Sequence, residues 1–199
     1  PVSLKLVKEA RLDSVYVTQD ICFVKENKAD GSLVVKADKV RLSFDADIDF
    51  YVEDAEVSVR IQMISPENEV YAQAEDGSIL IEQPKLWWPN GYGEQPLYTV
   101  KAELLSKKGE VLDVWERRIG IRSVTMDTGA DEWGNKFAHQ VNGVNIFAMG
   151  ADYIPEDNLL SRVNKERTQT LLKDCVKANY DSIRVWGGGY YPEDYFFDL

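Results

Sequence analysis

The sequence predicts a mainly β chain built in two parts, a β-sandwich followed by a strand–helix–strand unit. Three observations carry this. From Arg11 to about Arg122, apolar residues recur at every second position, the period of strands with one face on a core and one in water. Groups of turn-forming residues break that pattern at short intervals. From about Ser123 the period changes, and an amphipathic stretch of helical length lies between two apolar runs.

In the first part, Val40, Leu42 and Phe44 alternate with Arg41, Ser43 and Asp45, and Val57, Val59, Ile61 and Met63 with Ser58, Arg60 and Gln62. Tyr98, Val100, Ala102 and Leu104 alternate with Thr99, Lys101 and Glu103. Val15-Tyr16-Val17, Ile79-Leu80-Ile81 and Val114 to Ile121 predict further strands. The turns fall at Asp30-Gly31, Pro66-Glu67-Asn68, Asp76-Gly77 and Lys107-Lys108-Gly109. About seven short strands in this span is the rhythm of an immunoglobulin-like sandwich, although the cysteine–tryptophan–cysteine signature of antibody domains is absent. Within it lies Leu86-Trp87-Trp88-Pro89-Asn90-Gly91-Tyr92-Gly93. Trp87 and Trp88 have two readings: an aromatic platform stacking on sugar rings, or rings that pin a Pro/Gly-rich loop against a neighbouring domain.

In the second part, Asp131 to Asn135 predicts a turn, and Phe137 to Val141 with Asn142-Gly143 a hairpin. Ile146 to Gly150 is a continuous apolar run, expected of a strand buried on both faces. A loop, Ala151 to Val163, is expected next. Asn164 is placed to cap a helix whose first turn carries Glu166 and whose apolar stripe is Thr168, Leu171, Leu172, Cys175 and Val176. That helix ends near Asn179, and Ser182 to Trp186 is the next strand, giving one βαβ unit with parallel strands.

Composition excludes several function classes. A net charge of −11, from 34 acids and 23 bases, lacks the basic footprint of a nucleic-acid binder. His139 is the only histidine, and neither a histidine-based metal site nor a Ser-His-Asp triad is expected within this chain. Cys22 and Cys175 fall in different predicted parts with no metal-ligand spacing, and read as two free thiols. No metal or cofactor is called for. No apolar run approaches the ~18 residues of a membrane span. The first residues carry no signal-peptide pattern. No Asn-x-Ser/Thr acceptor occurs, and the compartment is left open.

The stretch with the most chemistry is Arg184-Val185-Trp186-Gly187-Gly188-Gly189. Strand alternation puts Ser182, Arg184 and Trp186 on one face and Ile183 and Val185 on the other. The first face must accommodate a cation and an indole, and a buried arginine asks for a carboxylate partner. No such partner is evident anywhere in this chain, and in a closed (β/α)8 barrel a strand further on would supply it. A dinucleotide loop is a poor fit, because the glycine spacing is wrong and Glu193 and Asp194 would repel a phosphate at the helix start. Gly187, Gly188 and Gly189 are read as permitting close backbone approach at a tight turn.

Five motifs in order then resemble one family. Trp87 to Gly91, Gly120-Ile121-Arg122, Val141-Asn142-Gly143, Gly150 to Pro155 and Arg184 to Gly189 together resemble a β-mannosidase of glycoside hydrolase family 2. The resemblance implies an internal fragment: residues 1–9 as a connector from a preceding domain, 10–121 as the family's immunoglobulin-like domain, and 122–199 as the first βαβ part of its catalytic (β/α)8 barrel. It implies a retaining exo-β-mannosidase acting on terminal β-D-mannose of oligosaccharides. Arg184 would support the nucleophilic carboxylate, and Trp186 would line the sugar subsite. Both catalytic glutamates are expected beyond Leu199, so no catalytic residue is assigned here and the fragment alone is expected to be inactive. Asp152-Tyr153 departs from the family's usual Asn-Trp and is expected to pack the loop. The incomplete barrel is expected to expose apolar surface, and either to be poorly ordered or to associate with another copy. Alternatives are another family 2 activity, such as an exo-β-glucosaminidase or endo-β-mannosidase, or a non-catalytic carbohydrate-binding or structural module.

Overall fold

A computed structural model of the chain describes residues 4–29, 31, 33–74 and 76–199. Asp30 of the expected first turn and the start of the expected connector lie outside these residues. The chain divides into two compact units. One is the chain up to Leu86 together with Pro96–Arg122; the other is Trp87–Gln95 together with Ser123–Leu199.

The first unit is a two-sheet β-sandwich, as the alternation predicts. Strands β1 (Ala10–Asn27), β2 (Leu33–Phe50) and β5 (Ile79–Glu82) form one sheet in the order β1-β2-β5. Strands β3 (Val57–Ile64), β4 (Val70–Ala72), β6 (Tyr98–Ser106) and β7 (Val111–Ile119) form the other in the order β4-β3-β6-β7. Every pairing is antiparallel. The inward faces are the apolar halves of the alternation: Leu12, Val15, Val40, Leu42, Ile79 and Ile81 from the first sheet, and Ile61, Met63, Val100 and Leu104 from the second, are all buried. Each such side chain stabilises the fold by roughly 1.5–3 kcal/mol relative to full exposure. Buried Tyr98 satisfies its polar tip by accepting the Lys85 N–H at 3.0 Å.

Two strands depart from the expectation of short elements. β1 and β2 run 18 residues each and pair along their whole length, with irregularities between Leu12 and Ser14 and between Cys22 and Phe23. The bulges let a long two-stranded ribbon twist and bend without ending. Gly31, Asn68, Gly77 and Gly109 all sit at positive φ at the predicted turns. At the exit of the sandwich, the Gln19 side-chain amide accepts the Arg122 N–H at 3.1 Å and donates to the Gly120 carbonyl at 3.2 Å.

The second unit opens with β8 (Val124–Asp127), β9 (Ala130–Asp131), β10 (Gly134–Asn135), β11 (Ala138–Val141) and β12 (Val144–Ile146). β12-β11-β8 form an antiparallel sheet, and β9 and β10 a minimal hairpin. Asn142 and Gly143 join β11 to β12 with φ of 52° and 71°, the paired positive values of the tight hairpin turn that their identities predict. β13 (Gly150–Tyr153) and β14 (Ser182–Val185) then pair in parallel. Between them lie a short 3₁₀ turn, Leu160–Arg162, and helix α1 (Lys165–Lys177); α2 (Asp194–Asp198) follows β14.

Two expectations for this unit are corrected. The continuous apolar run Ile146 to Gly150 is not a strand buried on both faces: β12 ends at Ile146, β13 begins at Gly150, and Phe147 between them is 82% exposed. An apolar run carries no period that fixes where a strand starts. The parallel register starts instead at Gly150, where any Cβ would collide with the Ser182 carbonyl. The expected loop from Ala151 is therefore strand through Tyr153. The α1 stripe is also only partly covered, with Thr168 buried but Leu171 and Val176 exposed.

Candidate functional site

The site residues gather around the parallel β13–β14 pair. Gly150, Ala151, Asp152 and Tyr153 lie abreast of Ser182, Ile183, Arg184 and Val185. In a ladder, residues abreast share a face. Asp152 and Arg184 therefore point to one side, and Trp186, two residues on from Arg184, continues that face. The Trp186 N–H donates to the Tyr153 carbonyl at 3.0 Å, which holds the tryptophan at the strand end.

Arg184 is exposed in this chain, and it already has a carboxylate beside it on the neighbouring strand. Its Nη1 donates to Asp152 Oδ1 at 3.1 Å, with the two side chains 67% and 50% exposed. The expectation that Asp152 only packs a loop is corrected with it. Asp152 stands on a strand, in register with the arginine. The signal for this was the βαβ pattern itself, which sets equivalent positions of its two strands side by side once the first strand is placed at Gly150.

The glycines after Trp186 are not equivalent. A Cβ at Gly188 would run into the Trp186 ring, and one at Gly189 would lie 2.8 Å from Pro155 Cδ and 3.1 Å from the Trp186 ring. At Gly187 a Cβ would meet nothing within 4 Å. Gly188 and Gly189 thus let the indole fold back over the chain, leaving Trp186 partly exposed.

Beneath this face, a polar cluster ties β13 to α1. The Tyr153 ring is buried, 4.6 Å from the Phe196 ring, and its hydroxyl donates to Glu156 Oε1 at 3.1 Å. Burial, then the nearby Glu156 charge and its hydrogen bond, push the Tyr153 phenol up to about 12. The Glu156 side chain is only 4% exposed. Its Oε1 also accepts the Thr168 hydroxyl, and its Oε2 lies 3.5 Å from Arg167 Nε. Asn164 Oδ1 accepts the Arg167 N–H at 3.0 Å, the predicted helix cap. In sequence nothing distinguishes Glu156 from the adjacent Asp157; burial does, with side chains 4% and 18% exposed. A cleft of about 630 Å³ beside this cluster is lined by Asp152, Glu156, Arg167 and Asp174 among others.

The aromatic turn belongs to the same unit. Trp87 and Trp88 are half-buried. The Trp87 carbonyl accepts from Asn142 Nδ2 at 3.0 Å, and Asn142, fully buried, also accepts the Ser123 N–H at 3.0 Å. The Trp88 N–H donates to the Glu94 carbonyl at 3.0 Å, and a Cβ on Gly93 would come within 2.8 Å of the Trp88 ring. Asn90 Nδ2 donates to the Tyr180 carbonyl at 3.1 Å. Among the described residues, no group of three or more His, Cys, Asp or Glu side chains is arranged to hold a metal ion, and no helix is long and apolar enough to cross a membrane.

Comparison with known proteins gives this arrangement a family. The family profile of glycosyl hydrolases family 2 matches residues 10–122. The chain belongs to that family. β-Mannosidase B of Aspergillus terreus is 40% identical over 117 residues, covering 59% of this chain and 14% of that protein. β-Mannosidase B of Thermothelomyces thermophilus is 40% identical over 123 residues, covering 61% of this chain and 14% of that protein. The crystal structure of a β-D-mannosidase from Dictyoglomus thermophilum covers 98% of this chain at 33% identity with a TM-score of 0.72. A Ruminococcus gnavus β-glucuronidase shares the fold, with a TM-score of 0.68 at 15% identity. The chain spans 14% of the length of those curated relatives and 23% of the Dictyoglomus enzyme.

Proposed function

We propose that this chain forms the immunoglobulin-like domain, residues 10–121, and the opening of the catalytic (β/α)8 barrel, residues 122–199, of a retaining exo-β-mannosidase, with residues 1–9 as a connector. The observation that carries this is the parallel β13–α1–β14 unit, with Arg184 and Trp186 on one face at its end, in a chain 33% identical to a β-mannosidase over 98% of its length. Active sites of such barrels lie at the C-terminal ends of the strands, which is where Trp186 and the following glycines stand.

Retaining hydrolysis uses two carboxylates about 5–5.5 Å apart, a nucleophile and an acid/base. In this reading both come from later barrel strands of the parent protein. The Arg184 guanidinium favours the ionised form of the nucleophile, since an adjacent cation lowers a carboxylate's pKa. Trp186 presents an indole face to the C–H surface of the terminal mannose. A whole barrel takes ~250 residues, so the 199-residue polypeptide alone is expected to be inactive. The substrate of the parent protein is a β-mannoside oligosaccharide, and this reading calls for neither nucleic acid nor membrane as a partner. The exposed Phe147, Ile154, Tyr190 and Tyr191 give the isolated polypeptide a surface for self-association. Trp87 and Trp88 are read as packing residues, because their backbone groups and the Gly93 contact tie the loop down within its own unit.

The test is hydrolysis by the complete protein that carries this chain. An aryl β-mannoside should be cleaved with retained anomeric configuration, and an aryl β-glucosaminide should not; the reverse preference would move the protein to another family 2 activity. Arg184→Ala should lower kcat by at least about a hundredfold, the scale of losing one electrostatic stabiliser at a reacting centre.

A further inference from the structure

We propose that Asp152 is a positioning residue for Arg184, and that it sets how strongly the arginine holds the nucleophile ionised; this rests on the mannosidase reading above. Asp152 is abreast of Arg184 in the β13–β14 register, and its Oδ1 takes one Nη1 proton at 3.1 Å. A guanidinium is a planar fork with five N–H donors. Fixing one edge of that fork orients the plane, so its remaining donors are aimed rather than swept through a cone.

Stability does not explain the pair. Both side chains are half or more exposed, and ion pairs of that kind add little to folding. What the structure does secure is the placement of Asp152. The next residue, Tyr153, is buried against Phe196, and its hydroxyl is bonded to the nearly buried Glu156, which is bonded in turn to Thr168 of α1. The strand end that carries Asp152 is therefore braced against the helix.

The pair also has an electrostatic consequence. Two carboxylates sharing one cation each feel less of it, and a nearby like charge disfavours ionisation. Other charges line the cleft beside Asp152: Glu156 from the loop, and Arg167 and Asp174 from α1. Arg167 pairs with Glu156 at 3.5 Å and with Asp157 at 3.2 Å, and Asp174 pairs with Lys177 at 3.0 Å. Among these groups, Asp152 is the one bonded to Arg184.

The experiment compares Asp152→Ala and Asp152→Asn in the complete protein, measuring kcat/KM on an aryl β-mannoside across pH. In parallel, the Arg184 side-chain N–H signals of the 199-residue chain are followed by NMR. The alanine variant should lose about tenfold in kcat/KM at the optimum, a loss of about 1.4 kcal/mol. The asparagine variant keeps the acceptor and should recover most of that loss. Its acid limb should move to lower pH by about half a unit, because a like charge beside the nucleophile is gone. Asp152→Ala should also erase the slowly rotating guanidinium signal of Arg184. Two variants that both match the unsubstituted protein would overturn the proposal. So would equal losses in both with an unmoved acid limb, the result of a merely structural role. If the unsubstituted complete protein leaves the mannoside intact, the mannosidase reading fails; an Arg184 signal indifferent to Asp152→Ala overturns the positioning itself, whatever the activity.

Discussion

Glu103 shows how single side chains on the outer face of the sandwich couple folding to pH. It stands on β6 within reach of Lys101 at 2.8 Å and of the Arg60 guanidinium across the ladder. The Lys101 hydrogen bond, followed by that of Arg60, holds its carboxyl below the usual range. Asp76, bonded by Ser78, and Glu67, bonded by Lys85, are shifted the same way. A carboxylate whose folded-state pKa is depressed contributes stability that is present above its unfolded value and lost as pH falls through the folded value. The melting temperature should therefore fall as pH drops from about 5 toward 3, the span just above and below ordinary carboxylate pKa values. Glu103→Gln should melt lower at pH 7 and flatten that slope. Protonation also relieves the self-repulsion of a chain with net charge −11, so the difference between the two proteins, rather than either curve, reads the Glu103 contribution. Gly150 and Gly187 make a second comparison at this scale. Gly150→Ala forces a methyl group into the Ser182 carbonyl and should destabilise the second unit by about 3 kcal/mol, the upper range for overpacking. Gly187→Ala meets open space and should stay within about 0.5 kcal/mol. Chemical denaturation followed by Trp fluorescence separates the two.

Helix α1 gathers several local signals into one element. Asn164 caps its start, Glu166 lies in its first turn and Lys177 in its last, each on the favourable end of the helix dipole. At the other end Asn179 takes a φ of 60°, with the Tyr180 N–H on the Cys175 carbonyl and the Asn179 N–H on the Val176 carbonyl, both at 3.0 Å. That is the left-handed closure glycine usually supplies, and asparagine tolerates it. Asn164→Ala should cost about 1 kcal/mol of helix stability, measurable as faster hydrogen exchange of the first-turn amides. The turn at Asn142 is more demanding, because one buried side chain serves the backbone of both Ser123 and Trp87. These caps and turns were legible in the sequence, since each depends on a few contiguous residues. The start of β13 was not. Nothing in Ile146 to Gly150 reveals that pairing begins at the glycine, because the neighbour that demands it, Ser182, lies across the helix.

At the scale of the molecule, the two units are unequally built. All the buried apolar side chains among the described residues, apart from Val141, Tyr153 and Phe196, lie in the sandwich. The second unit keeps Phe147, Ile154, Tyr191 and Val176 exposed. Few buried apolar contacts mean a low free energy of local opening. Amides of β3 and β6 should thus exchange far more slowly than those of β13 and β14, and hydrogen–deuterium exchange with mass spectrometry would show it. Equal protection of the two units would contradict this. The isolated polypeptide should also sediment as concentration-dependent oligomers, and Phe147→Ser with Tyr191→Ser should shift it toward monomer.

The period-two alternation, the positive-φ residues of the turns and the helix caps were all set by local sequence, and with them the sandwich, the βαβ order and the resemblance to family 2. Each rests on covalent neighbours, whose geometry barely depends on the rest of the chain. The partner of Arg184 was decided only by tertiary structure. Asp152 lies 32 positions away and is ordinary in its own surroundings. It becomes a partner because a glycine lets two strands close up, and a capped helix of fixed length returns the second strand in that register. The same holds for Glu156, whose burial comes from Tyr153 and Thr168 closing over it. A strand face announces what it needs, but which residue answers is fixed by how the chain comes back.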